Sequence, residues 1–179
     1  GVGVESPGSV RFMELFDKSS EIVTAGSGRK TTKKKAKGKI RKGAMMATLA
    51  VWHPDIVEFI TAKQTAGRLS KFNMSVNCTD VFMERVLRID ELKRKLVDSD
   101  DLISIQKNWA LQTEIDALET WDLMFPDTTH ASYKSLWKGN IEDWLSRGLP
   151  VNVYETTTVS RLWNLIMEST YNRNEPGVL

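Results

Sequence analysis

The stretch that decides the fold is IRKGAMMATLAVWHPDIVEFITAKQTAGRLSKFNMSVNCTDVF, Ile40 to Phe82. Its segment Ala44 to Trp52, AMMATLAVW, is almost continuously apolar, which predicts a strand covered on both faces. His53-Pro54-Asp55 then predicts a helix start, because proline is pre-set for the first helical position and an acid favours a helix N-terminus. His53 reads as a capping residue of that start. Ile56, Phe59 and Ile60 make the buried stripe of the helix, and Gly67 closes it. Lys71 to Asn77 alternates: Phe72, Met74 and Val76 take one face, Asn73, Ser75 and Asn77 the other. Short polar side chains in a row line either a ligand-bearing cavity or the wet side of an edge strand, and the pattern alone favours the edge. Strand, short turn, helix, strand is the order of a parallel sheet or barrel, so the fold class is α/β.

Upstream, Gly1 to Gly8 is a loop, and a helix starts at Ser9, which caps it, and stops at Gly26. Its stripe is Phe12, Leu15, Phe16, Ile22 and Val23. It reads as a core face, with a partner helix as the alternative. Gly26 to Gly43 is too polar to pack a core and reads as a loop. Between Arg29 and Lys42 nine of fourteen residues are Lys or Arg, so a net charge of +2 hides a mildly acidic body with one cationic loop. Such a loop is either a solvated insertion or a site for phosphate, nucleotide or nucleic acid. It lacks the aromatic residues that accompany single-strand binding.

Downstream, Thr79 caps a helix carrying Phe82, Met83, Val86 and Leu87. Arg88 to Asp101 is densely charged and exposed, with Leu92 and Leu96 keeping a thin stripe. Leu102 to Phe125 is ambiguous: LISIQ reads as strand, and EIDALETWDLMF reads as either helix or strand. A turn follows at Phe125 to Thr128. A short helix follows Gly139-Asn140 and stops at Gly148-Leu149-Pro150. Val151 to Tyr154 is a short strand. A last helix runs from about Thr158 to Tyr171 with Leu162, Trp163, Ile166 and Met167 inward. There is no internal repeat.

The length, 179 residues, fits one domain, and 41% hydrophobic with 27% charged residues is ordinary for a globular protein. No apolar run approaches the ~20 residues of a membrane span, and no signal peptide is present. The one cysteine, Cys78, excludes an internal disulfide framework and fits a reducing cytoplasm. The chain begins GVGVESPG without an initiator Met and stops at EPGVL, where a turn meets an apolar pair resembling a strand start. Both ends are expected to be cuts through a larger protein. There is no CxxC, no HExxH and no Walker loop, and His53 and His130 stand apart, so no metal site is expected. Cys78 has no neighbouring His and reads as a buried, inert thiol.

RKGAMMATLAVWHPDIVEFITAKQ from Arg41, followed by FNMSV from Phe72, resembles the large catalytic subunit of ribonucleotide reductase. That family shows a Gly-Gly-x-Arg-Arg-Gly-Ala turn, an apolar strand, HPDI and an FN-(I/M)-S strand. SPGSVRFMELFD resembles the family's SGPVSFMxxFD helix, and LWNLIMESTYNRNEPGVL the segment before its catalytic-cysteine strand. The resemblance covers essentially the whole chain and is weakest from Arg88 to Leu118.

The resemblance implies an internal piece of a ten-stranded α/β barrel that reduces ribonucleotides to deoxyribonucleotides. In the family a cysteine thiyl radical abstracts a substrate hydrogen and a cysteine pair supplies electrons. Those cysteines match no residue here, so no catalytic residue is assigned, and Cys78 stands where the family has an aliphatic residue. The implied divisions are 1–28, a dimer and effector helix region; 29–43, a basic specificity loop; and 44–179, barrel strands and helices. The implied substrate- and effector-binding residues are Arg41, Lys42, Gly43, Ala44 and Met45, matching the loop that passes effector identity to the substrate base, with Asn73 and Ser75 on the cavity strand. Glycine permits close backbone approach there and cations meet phosphates. RKTTKKKAKG between Gly28 and Lys39 is an extension where the family pattern needs a residue or two.

GAMMATL, HPDI and FN-x-S resemble adenosylcobalamin-dependent members more than those that draw a radical from a separate metal-containing small subunit. The implied partners are a ribonucleotide substrate, a dNTP or ATP effector, thioredoxin or glutaredoxin as reductant, and a second copy in a homodimer, with no membrane and a cytoplasmic location. The reading from another class is a nucleotide- or nucleic-acid-binding module acting through the Lys-rich loop 29–42.

Overall fold

The computed structural model describes residues 7–26, 44–98 and 101–179. The basic run 29–42, with Arg41 and Lys42, and Gly43 after it, lies outside the described residues. α1 spans Ser9–Gly26. β1 (Met45–Ala50) leads through the His53-Pro54-Asp55 turn into α2 (Ile56–Thr61), a 3-10 turn at Ala62–Gln64, and β2 (Phe72–Asn77). α3 (Asp80–Arg94) and α4 (Leu102–Glu119) follow. β3 (Thr120–Pro126), α5 (Tyr133–Leu136), α6 (Ile141–Ser146) and β4 (Val151–Thr158) come next, then α7 (Val159–Arg173) and β5 (Gly177–Val178).

β1, β2 and β5 form a parallel sheet in the order β1-β2-β5, with Met45 opposite Phe72, Thr48 opposite Ser75, and Ser75 opposite Gly177. The chain is a mixed α/β segment of the kind that walls an α/β barrel. Phe72, Met74 and Val76 join Ile56, Phe59 and Ile60 of α2, Phe82 and Ile89 of α3, and Leu162 and Ile166 of α7 in one core. Burying each such side chain contributes about 1.5–3 kcal/mol. Met45, Ala47 and Leu49 pack against the same core.

Several expectations change. β2 is the central strand, because the Gly177-Val178 pair adds β5 to its far side. β1 is covered on one face only: Met46 and Thr48 are exposed. LISIQ is the start of α4, since the Asp101 carboxylate accepts from the N–H groups of Ile103 and Ser104 at 3.0 and 2.9 Å and nucleates a helix whose first half leaves Leu102, Ile103 and Trp109 exposed. On α1, Phe12, Leu15, Phe16, Ile22 and Val23 are not core: they are 51–74% exposed, while Val10 is fully buried. Met167 of α7 and Leu87 of α3 also face outward.

β3 and β4 make an antiparallel ribbon with an irregularity between Leu123 and Met124. It is tied to the end of β1 by the Met124 N–H donating to the Trp52 carbonyl at 2.9 Å. A second cluster, Trp52, Ile141 and Trp144 with Trp137 and Phe125, fills the space beneath. Asn140 caps α6 by accepting from Glu142 and Asp143 N–H groups, and the Trp144 indole donates to the Pro150 carbonyl at 2.9 Å. No helix of the described residues is long and apolar enough to cross a membrane.

Candidate functional site

A parallel pair puts directly opposed residues on the same face of the sheet, so register decides which side chains stand together. One face is the core. The other carries Met46 and Thr48 of β1 beside Asn73 and Ser75 of β2, with Asn77 at the strand's end and Gly177 of β5 next to Ser75. Asn73 and Asn77 are exposed, whereas Ser75 is 6% exposed. A methyl group at position 177 would sit 3.1 Å from Ser75 Oγ, so the glycine makes the room that hydroxyl occupies. The face offers amides and a hydroxyl, groups that donate to and accept from a sugar or base.

Of the residues singled out in the sequence, Asn73 and Ser75 share this face. Ala44 is exposed just before β1. Met45 faces the core side opposite Phe72, and its neighbour Met46 takes the open side. Arg41, Lys42 and Gly43 lie outside the described residues. Thr48 and Asn77 also stand on the face. Asn77 was legible in the alternation, while Thr48 needed the register.

Beyond the carboxyl ends of β1 and β2 lies a cleft of about 290 Å³ lined by Asn77, Cys78, Thr79, Asp80, Asn140 and Glu142. Ligands of open α/β sheets bind at this end of the strands. Burial pushes the Cys78 thiol up to about 11, so it stays protonated at neutral pH and is a poor nucleophile. Among the described residues no group of three or more His, Cys, Asp or Glu is disposed to hold a metal ion.

α1 is fixed against this unit by its polar side. Ser9 donates to Asp55 Oδ2 through both its N–H (2.7 Å) and its hydroxyl (2.8 Å). Arg68 bridges Glu14 of α1 at 2.6 Å and Glu58 of α2 at 3.0 Å. Asp17 Oδ1 accepts from the Lys71 N–H at 2.8 Å, and the Lys71 carbonyl accepts from the Met45 N–H at 2.8 Å. The helix is thereby tied to the starts of both β1 and β2. His53, expected to cap α2, does not: Asp55 is the N-cap, and the His53 Nδ1 accepts from the Asp55 N–H at 3.0 Å within the turn ahead of the helix.

The family model described as ribonucleotide reductase, barrel domain, matches residues 1–179. A vitamin B12-dependent ribonucleoside-diphosphate reductase of Mycobacterium tuberculosis is 40% identical over 87 residues, covering 48% of this chain and 11% of that protein. One of the same name from Thermoplasma acidophilum is 34% identical over 123 residues, 67% of this chain and 13% of the relative. A ribonucleoside-diphosphate reductase large chain of Cryptosporidium parvum is 22% identical over 182 residues, 99% of this chain and 18% of the relative. The chain thus spans less than a fifth of the length of these relatives.

Proposed function

The chain belongs to the ribonucleotide reductase family, as barrel-domain sequence, and from that membership we propose that it forms the nucleotide-facing wall of an enzyme converting ribonucleotides to 2'-deoxyribonucleotides. In that reaction the 2'-hydroxyl leaves as water, hydrogen takes its place, and a dithiol is oxidised to a disulfide. A cysteine thiyl radical starts it, and the reacting cysteines belong to other parts of the longer protein. The observation that carries the reading is the polar face of β2: Asn73 is exposed opposite Met46 near the start of β1, and Ser75, nearly buried, stands on the same face away from the helical core. They hydrogen-bond the nucleotide. Residues 29–43 act as the specificity loop, with Arg41, Lys42 and Gly43 meeting effector or substrate and Ala44 and Met45 anchoring the loop to β1.

The relatives' names, vitamin B12-dependent, support adenosylcobalamin as the source of the radical. This chain's described residues offer no metal-ligand cluster, so none is assigned to the cofactor; their part is to bind and orient the nucleotide. α1, held by its polar side with its apolar stripe bare, docks on a second copy in a homodimer beside a dNTP effector. A thioredoxin or glutaredoxin reduces the whole protein, which works in the cytoplasm.

The test is conversion of CDP to dCDP by the full-length protein with a dithiol. Activity is expected with added adenosylcobalamin, and Asn73→Ala is expected to weaken CDP binding roughly tenfold through a lost hydrogen bond. No deoxynucleotide under either radical source, cobalamin or small subunit, would overturn the reading.

A further inference from the structure

β2 has an edge that its neighbour strand does not reach. β5 pairs with it only at Ser75 and Val76. Ahead of Ser75, the backbone groups on that edge need other partners, because an unpaired buried peptide group costs about as much as a lost hydrogen bond. One ion pair supplies them. Lys63 Nζ donates to the Phe72 carbonyl, Glu175 Oε2 accepts from the Met74 N–H at 3.3 Å, and the ammonium and carboxylate contact each other. Both side chains are largely buried, 18% and 24% exposed.

The Phe72 carbonyl and the Met74 N–H belong to the two peptide planes that flank Asn73. Since peptide groups are planar, fixing both planes fixes the φ and ψ of Asn73 and with them the direction of its Cα–Cβ bond, from which the amide is carried. The pair is itself anchored. Lys63 sits in the 3-10 turn after α2, where Gln64 Nε2 donates to Ser169 Oγ at 3.1 Å and Arg173 donates to the Gln64 carbonyl at 3.1 Å. Beyond Glu175, the Pro176 carbonyl accepts from Thr170 Oγ1 at 2.6 Å.

We propose that Lys63 and Glu175 are positioning residues for Asn73: together they replace the missing strand along that edge of β2 and aim the asparagine amide at the nucleotide. The proposal rests on the reading of the open face as the nucleotide face. Neither residue touches the ligand; each acts through the backbone of β2.

The test is a double-mutant cycle in the full-length protein, with CDP affinity read by calorimetry and folding by thermal melting. Lys63→Met and Glu175→Gln are each expected to raise the Kd for CDP roughly tenfold, the loss of one well-directed hydrogen bond. In an Asn73→Ala background the same substitutions are expected to change Kd by less than about twofold, while still lowering the melting temperature. Glu175→Gln keeps the shape of the side chain but removes the charge that holds the Lys63 ammonium beside the Phe72 carbonyl, so it keeps the cycle readable if Lys63→Met does not fold. A rise in Kd of the same size with and without Asn73 would make the pair merely structural and overturn the proposal. If Asn73→Ala alone leaves Kd unchanged, the nucleotide reading of the face fails first and takes the proposal with it.

Discussion

α1 and α7 are both amphipathic, and their apolar stripes meet opposite fates. In α7, Leu162 and Ile166 are fully buried between α2 and α3. The helix is set by Thr158, which caps it by accepting from the Arg161 N–H, and by Asn174, which ends it at φ 59°. In α1, the stripe from Phe12 to Val23 is bare, and the polar side makes the contacts, through Ser9, Glu14 and Asp17. One helix is held by what it excludes from water. The other buries Val10 and part of Met13, is otherwise held by directed polar bonds, and leaves its main apolar stripe exposed.

The largest expected effect tests the first half of that contrast. Leu162→Ala or Ile166→Ala removes a fully buried side chain and should cost about 2–5 kcal/mol in a denaturant titration of the chain. Phe16→Ala should cost less than about 1 kcal/mol, because no core closes over it. Equal losses would mean that the α1 stripe is covered, and the contrast would collapse.

A smaller effect tests the second half. Arg68→Ala removes both the Glu14 and the Glu58 contacts and should loosen α1 without opening the core. Hydrogen exchange of α1 amides is expected to speed up roughly tenfold, equivalent to ~1–2 kcal/mol of local opening, while α7 amides keep their protection. Loss of protection in both helices would show that α1 is part of the same cooperative unit.

What the sequence revealed follows the same division. Period and caps are local, so the β2 alternation, the Thr79 cap, the short helix after Gly139-Asn140 and the helix after His53-Pro54-Asp55 were readable residue by residue. LISIQ was not: a short apolar, β-branched run fits strand or helix, and Asp101 decides it through two N–H groups that no strand would present. What covers a stripe is a tertiary fact, and α1 and α7 look alike until the partners are placed. At the site, Asn73 and Ser75 were legible because they alternate, whereas the exchange of faces between Met45 and Met46 required the β1–β2 register. Lys63 and Glu175 gave no signal at all. Glu175 meets the Met74 N–H from 101 residues away, and no periodicity joins such positions.

The smallest effect sharpens how α1 is held. His53 Nδ1 accepts from the Asp55 N–H, and Asp55 holds both the N–H and the hydroxyl of Ser9 at the start of α1. Burial lowers the His53 pKa below its ordinary 6.5, with nearby Asp55 opposing the shift. A protonated ring has no lone pair on Nδ1 to accept with, so the turn is built for the neutral form. Because the folded-state value is depressed, the stabilisation is fully present above pH 6.5 and is lost as the pH falls through 6.5 toward the folded value. Between pH 7.5 and 5 the first turn of α1 should therefore lose exchange protection, corrected for the intrinsic rate, while α7 does not. His53→Asn supplies an acceptor that does not titrate, and it should flatten this pH dependence. A slope that survives in His53→Asn would assign the pH response to another group and leave the Asp55 clamp independent of the ring.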